Sequence, residues 1–297
     1  MNTILVTGAT GLLGMSLIPY LKSCNYNVIT HARSSQADFI FDLSDGVQTY
    51  KMLEQIQPSM IINLASLTSV EECEENINIA FLTNTRTVES LTHWILERGV
   101  NCHLVQISTD HVYDGDGVNP NTEDKVIINN NYAFSKYAAE LVATQVSSTI
   151  LRTNFIGRSK LKHRESLTDW VYRSMANGIQ VNILNDVYFS PLSIQILCEM
   201  IGLVLQKKPI GIFNLGSHNG MSKANFDIVF AEALKLPTKT MKRIELSEAT
   251  FFKAKRPKDM LMDSSKFENT LNVKLPKLID IIAEVSKEYD EFSHLNT

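Results

Sequence analysis

The sequence predicts an α/β fold in which a doubly wound parallel sheet carries a smaller C-terminal α+β lobe. Two observations predict it. Apolar runs rich in Ile and Val alternate with helical patterns along the first half of the chain, and from Asn154 that rhythm breaks into shorter strands and helices. Strands bounded by helices at this spacing read as βαβ units around a parallel sheet. At 297 residues the chain is longer than one average domain and shorter than two full ones. Residues 1–155 are therefore assigned to a first domain and 156–297 to a second lobe, with some segments of the second returning to the first.

Taken in order, Thr3–Thr7, Asn27–Thr30, Met60–Leu64 and Cys102–Ile107 read as strands, with helices at Leu12–Lys22, Ser44–Gln55 and Ile79–Arg98 between them. Phe39–Phe41 adds a short strand. A loop of Gly, Asn, Pro and Asp from Asp114 to Asn131 leads into a helix over Tyr132–Val146 and a strand at Thr149–Arg152. The second lobe has helices at Leu167–Ala176, Ile194–Gln206, Lys223–Leu234 and near Leu278–Tyr289, and strands at Gln180–Leu184 and Ile212–Leu215. Ser293–Thr297 loses the apolar period and is expected to be disordered.

Composition narrows the function classes. A hydrophobic share of 44% and a charged share of 20% suit a soluble globular protein. The net charge of −4, with Lys and Arg scattered, offers no stripe for a polyanion, so nucleic acid is not an expected partner. The most basic stretch, Arg158 to Arg164, reads as a solvated loop or as a contact for a phosphate-rich small ligand. Four isolated cysteines form no Cys-x-x-Cys pair, which argues against a metal site or a disulfide framework and for a reducing compartment. The N-terminus runs straight into a strand without the pattern of a secretory signal, and the apolar helix Ile194–Leu205 is too short to span a bilayer and contains Glu199. The expected location is cytoplasmic, away from membranes.

Ile4-Leu5-Val6-Thr7-Gly8-Ala9-Thr10-Gly11-Leu12-Leu13-Gly14 places three glycines between an apolar strand and an amphipathic helix. A pyrophosphate needs close backbone and a helix N-terminus aimed at it, which glycines permit. The turn therefore predicts a Rossmann-type dinucleotide site, with Gly8, Thr10, Gly11, Leu12, Leu13 and Gly14 lining it. An acid ending the second strand would bond the adenosine ribose 2′-hydroxyl of NAD(H). Here Arg33 and Ser34 follow that strand, and a guanidinium with a hydroxyl suits the 2′-phosphate of NADP(H). NADP(H) is the favoured cofactor and NAD(H) the alternative. Asp42 reads either as an adenine-side acceptor or as a helix cap, and Leu43 and Ile107 complete the candidate cofactor wall.

Tyr132 and Lys136 lie four apart on one helix, so their side chains are neighbours. An adjacent ammonium stabilises a phenolate and draws its pKa down from about 10. Ser108 and Thr109 end the strand before that helix, where a parallel sheet opens its ligand crevice. Thr109 can hydrogen-bond a substrate carbonyl that Tyr132 protonates.

Together these features resemble the extended short-chain dehydrogenase/reductase superfamily, most of all its dTDP-4-dehydrorhamnose reductase branch. Supporting segments are Ile62–Glu71, Asn84-Thr85, Ser108–Gly115, Tyr132–Lys136, Leu151–Phe155, Asn185-Asp186, Lys255-Arg256-Pro257 and Asp263–Lys266. The resemblance implies a catalytic triad of Thr109, Tyr132 and Lys136, and reduction of the 4-keto group of a nucleotide-linked 4-keto-6-deoxyhexose. It implies that Lys136 also holds the nicotinamide ribose and that Ala65 and Ser66 line the cofactor, their other reading being small residues that close a βα turn; Asn84 reads as a buttress of that turn or as a solvent-facing residue. Ser108, Asp110, Asn154 and Phe155 fall on the substrate side, and by analogy Arg256 binds nucleotide phosphates, its other reading being a structural ion pair. The implied partners are a nucleotide sugar and, at most, a second copy of the chain in a homodimer. Two places depart from the branch: Phe155 stands for its usual tryptophan, and Asp186-Val187-Tyr188-Phe189-Ser190-Pro191 for Asp-Gln-x-Gly-x-Pro. Epimerases and dehydratases share the superfamily, but the dehydratase branch carries Glu where this chain has His111. The regulatory β subunit of methionine adenosyltransferase also resembles the branch, and the intact triad argues against that role.

Overall fold

The computed structural model describes residues 3–34, 36–115, 117 and 119–293. The expected disorder of Ser293–Thr297 falls on residues 294–297, outside the described residues, while Ser293 ends the last helix.

In the first half, β1 (Thr3–Thr7), α1 (Gly14–Ser23), β2 (Asn27–Ala32), β3 (Phe39–Ile40), α2 (Gly46–Ile56), β4 (Met60–Asn63), α3 (Val70–Glu75) and α4 (Ile77–Ala80) follow one another. A π turn over Phe81–Arg86 then leads to α5 (Thr87–Arg98), β5 (His103–Ile107), α6 (Asn131–Ala143) and β6 (Ser148–Thr153). The second half adds β7 (Phe155–Ile156), α7 (Leu167–Ala176), β8 (Val181–Leu184), β9 (Tyr188–Phe189), β10 (Leu192–Ser193), α8 (Ile194–Lys207) and β11 (Gly211–Leu215). After these come β12 (Met221–Ser222), α9 (Lys223–Ala233), β13 (Met241–Ile244), β14 (Asp259–Met260), α10 (Ser265–Leu271) and α11 (Leu278–Ser293).

Seven parallel strands in the order β11-β6-β5-β4-β1-β2-β3 form the main sheet. Its strands read as unbroken apolar runs because both faces are covered. Ile4, Val6 and Ile62 pack on one face with Leu17 and Leu21 of α1 and Leu197 and Ile201 of α8. Leu5, Ile61 and Leu104 pack on the other with Leu53 of α2, Leu91 and Trp94 of α5 and Ala139 of α6. β11, expected in the second lobe, pairs in parallel with β6 and extends this sheet. The remaining strands make small sheets, β10-β7, β12-β9-β14 and β13-β8. Among the described residues no helix is long and apolar enough to cross a membrane.

Several boundaries differ from the sequence expectation. The helix expected from Leu12 begins at Gly14, because the glycine turn occupies the intervening residues. The helix expected over Ile79–Arg98 is broken by the π turn, and α3 precedes it unannounced. Ser69 caps α3 by accepting the Glu72 N–H, and Asp45 caps α2 by accepting those of Val47 and Gln48.

Candidate active site

The order of strands reverses between β1 and β4, and a ligand crevice opens outside the carboxyl ends of strands at such a point. A cleft of about 850 Å³ lies there. Gly8, at φ +66°, occupies the left-handed region, and a Cβ there would stand 2.7 Å from the Ala65 nitrogen. A Cβ on Gly14 would stand 2.3 Å from the Ala9 oxygen. Helix α1 opens at Leu13 with no side-chain cap, so its first N–H groups are left for another acceptor. Gly8, Thr10, Gly11, Leu12, Leu13 and Gly14 all line the cleft.

At the far side of β2, Arg33, Ser34, Asp42 and Leu43 line the same cleft. Asp42 Oδ1 accepts the Ser44 N–H at 2.9 Å, but the cap of α2 is Asp45, so the helix-cap reading of Asp42 does not hold. His31, which the sequence did not single out, lines the wall as well: its Nε2 lies 3.0 Å from the Phe41 carbonyl, and burial lowers its pKa. Its Nδ1 is buried and unbonded. The residues present therefore fit a dinucleotide carrying an extra phosphate.

Asn84 explains how the loop after β4 is held. Its Oδ1 accepts from Ser66 Oγ at 2.9 Å and from the Leu67 N–H at 2.7 Å, and its Nδ2 donates to Leu67 O at 3.1 Å and Ser135 Oγ at 2.9 Å. The π turn makes this reachable by burying both Asn84 and Thr85, whose hydroxyl donates to Ser135 O at 2.9 Å. Ala65 and Ser66 thus line the cleft from a loop bolted to the helix that carries Tyr132 and Lys136.

Thr109, Tyr132 and Lys136 converge on the cleft floor, where all three are buried. Asn130 sets the start of their helix, its Oδ1 accepting the Ala133 N–H at 2.8 Å. Lys136 Nζ donates to the Ile107 carbonyl at 2.7 Å, and burial lowers its pKa to about 8. Tyr132 behaves differently from the sequence expectation. Burial raises its pKa, and a hydrogen bond with Thr109 works against that. The phenol is a proton donor at any ordinary pH.

Two expected contacts go elsewhere. Ser108 lines the cleft, but its hydroxyl donates to Glu140 Oε1, so it does not present a free donor to a substrate. Glu140 in turn receives Arg152, with Nε at 3.0 Å from Oε1 and Nη2 at 2.7 Å from Oε2, and Arg152 Nη1 donates to Tyr113 Oη at 2.7 Å. Glu140 continues the spacing 132, 136, 140 along α6, a signal that could have found it. Arg152 could be found only by folding. Arg256 does not line the cleft: its Nη2 pairs with Glu71 Oε1 at 2.7 Å and its guanidinium lies 4.8 Å from the Phe252 ring centre. The ion-pair reading describes its place.

Asn154 and Phe155 do line the cleft, and Asn154 Nδ2 donates to Asp110 Oδ2 at 2.7 Å. Burial raises Asp110 to about 6, with Asn154, Lys223 and Thr109 working against it. His111 packs edge-on against Tyr132, centroids 5.5 Å apart, and burial with the Lys223 and Arg256 charges holds it down to about 3. It is therefore neutral. Arg164, at the end of the basic stretch Arg158 to Arg164, also lines the cleft.

Residues 1–291 match the family model described as RmlD substrate binding domain. The chain belongs to this family. As an RmlD-family member it is 24% identical to the probable low-salt glycan biosynthesis reductase Agl14 of Haloferax volcanii, across 97% of this chain and 98% of that protein. It is 24% identical to the dTDP-4-dehydrorhamnose reductase of Escherichia coli, across 92% of this chain and 93% of that one. In fold it follows the dTDP-4-dehydrorhamnose reductase of Bacillus anthracis crystallised with NADP, at a TM-score of 0.87 and 21% identity over 97% of this chain and all (100%) of that one. The doubly wound sheet expected from the sequence is the fold of this family.

Proposed function

We propose that this RmlD-family chain is an NADPH-dependent reductase of the 4-keto group of a nucleotide-linked 4-keto-6-deoxyhexose, serving deoxysugar or surface-polysaccharide precursor synthesis in the cytoplasm. The observation that carries the reading is the meeting of Thr109, Tyr132 and Lys136 on the floor of the cleft that the glycine turn also lines. The reductases among its relatives support the same chemistry. NADPH, when bound, supplies the hydride.

The chain's own residues do the rest. Gly8, Gly11 and the uncapped start of α1 bind the pyrophosphate, and Arg33 with Ser34 takes the 2′-phosphate. Thr109 and Tyr132 hold the substrate carbonyl oxygen through their hydroxyls. Tyr132 gives its proton to that oxygen as the carbonyl becomes an alcohol, and the Lys136 ammonium stabilises the phenolate left behind. Lys136 also meets the nicotinamide ribose. Asp110, steadied by Asn154, faces the sugar with Phe155. His111 stands where a dehydratase needs an acid, and a buried neutral imidazole held down to about 3 cannot serve as one at neutral pH.

The test follows NADPH consumption against a panel of nucleotide-linked 4-keto-6-deoxysugars. Wild type should turn over at least one, and Tyr132→Phe should lower kcat by roughly 10²–10⁴-fold, the usual worth of a positioned proton donor, with NADPH affinity kept. No turnover on any member would overturn the reading.

A further inference from the structure

Lys136 and Glu140 stand one turn apart on α6, and both reach the end of β5. Lys136 Nζ donates to the carbonyl of Ile107, and the next residue, Ser108, donates its hydroxyl to Glu140 Oε1. The ammonium and the carboxyl group are therefore neighbours, hung on consecutive residues of one strand end. Glu140 is 0% exposed and Lys136 3%. With so little water between them, their attraction is weakly screened. Burial works to discharge Lys136, and the Glu140 charge is the first influence that works against it.

Among the described residues, the partners of the Glu140 oxygens are donors: Ser108 Oγ, Arg152 Nε at 3.0 and 3.1 Å, and Arg152 Nη2 at 2.7 Å. A carboxyl group met only by donors, one of them a guanidinium, is a carboxylate. Arg152 comes from β6, and its Nη1 also donates to Tyr113 Oη at 2.7 Å and to Glu123 O at 2.8 Å, which fixes the guanidinium on the far side of Glu140. The other ionisable groups around Lys136 do not replace this carboxylate. Cys73 of α3 is a neutral thiol, its pKa pushed up to about 11 by burial, and Tyr132 is a neutral phenol. After β5, Asp110 is bonded to Asn154 and Thr109, and His111 is neutral.

We propose that Glu140 is a positioning residue of the reduction: its carboxylate keeps the Lys136 ammonium charged and in place, and Arg152 sets the strength of that hold by sharing the carboxylate. This rests on the proposed reductase function, in which the charged lysine stabilises the Tyr132 phenolate. The buried pair Glu140–Arg152 then acts on the reaction without touching substrate or cofactor. Its two charges pull Lys136 in opposite directions, so removing one or the other has effects of opposite sign. Contacts that served only to hold α6 against β5 and β6 would have no such signature.

Lysine isotope-labelled at Cε reports each ammonium by NMR titration without any substrate, and Lys136→Met assigns the resonance. In wild type Lys136 should titrate at about pH 8. Glu140→Gln keeps an amide oxygen for Ser108 and Arg152, and it should lower that midpoint by on the order of one pH unit, since the guanidinium is left to repel the ammonium. Arg152→Gln should raise the midpoint by a similar amount, because the carboxylate then has Lys136 as its nearest cation. Glu140→Gln combined with Arg152→Met removes both buried charges together, a change that folds are known to bear, and its midpoint should fall between those of Glu140→Gln and wild type. The alkaline limb of kcat/KM should follow the same order. A wild-type midpoint in Glu140→Gln or in the double variant, or a downward shift in Arg152→Gln, would overturn the inference. Opposite shifts in a protein that turns over no 4-keto sugar would instead sink the reductase reading alone.

Discussion

Lys136 is the residue whose protonation changes within the working range of such a site. Its burial and its single carbonyl partner bring it to about 8, so it is charged below that pH and neutral above it. Since the charged form is the one that stabilises the Tyr132 phenolate, kcat/KM should fall as pH rises through about 8. A pH–rate profile checks this, and Lys136→Arg, which stays charged, should lose that alkaline limb even at reduced activity. Asp227 makes a prediction about stability. It is buried with Oδ1 unbonded, and burial lifts its pKa to about 7 against the Lys223 charge. The folded state thus holds this proton more tightly than the unfolded one. Stability from this group is greatest below about pH 4 and is lost as pH rises to about 7, at about 1.4 kcal/mol per pKa unit and up to roughly 4 kcal/mol in all. Asp227→Asn should therefore raise Tm at pH 8 and leave it nearly unchanged at pH 4 in thermal melts.

The elements around the cleft are placed by side chains that reach far along the chain. Asn84 makes four hydrogen bonds that join the loop after β4 to α6, and the π turn is what aims it there. Asn84→Ala should cost roughly 2–3 kcal/mol, read from urea unfolding, because it leaves buried groups such as the Ser135 hydroxyl short of a partner. It should also raise the KM for NADPH by loosening Ala65 and Ser66. The sequence placed Asn84 beside this turn through family resemblance, while the π turn itself was not legible. Nothing in a 3.6-residue period announces one wider turn, and the apolar pattern of Ile79–Arg98 continues through it.

On the scale of the whole molecule, residues 253–256 are fastened to α3 and α6 beside Tyr132. Glu71 of α3 accepts the N–H groups of Lys253 at 2.9 Å and Ala254 at 3.2 Å as well as Arg256, and Asn130 Nδ2 donates to Lys255 O at 2.9 Å. Ala254 packs with Val70, Cys73 and Tyr132. The same Asn130 caps α6, so the strap 253–256 bears on the helix that carries Tyr132 and Lys136. Glu71→Ala should lower kcat about tenfold with NADPH affinity kept, since roughly 1.4 kcal/mol of lost positioning is a factor of ten in rate. A fall in NADPH affinity of equal size would show instead that the strap supports the whole cleft.

The sequence alone determined the parallel sheet, the glycine turn and the spacing of Tyr132 and Lys136. Each is local: an apolar run, a φ that only glycine adopts readily, four residues of one helix. The tertiary structure decided what those groups touch. Ser108 is spent on Glu140, whose partner Arg152 comes from β6, Lys136 is spent on Ile107 O, and Arg256 is spent on Glu71. It likewise returned β11 to the edge of the main sheet and brought Arg164 over the cleft. Partners of a buried charge are chosen by where the chain brings opposite charges together once water is excluded, and that choice joins residues tens to nearly two hundred positions apart. No periodicity in the sequence carries it.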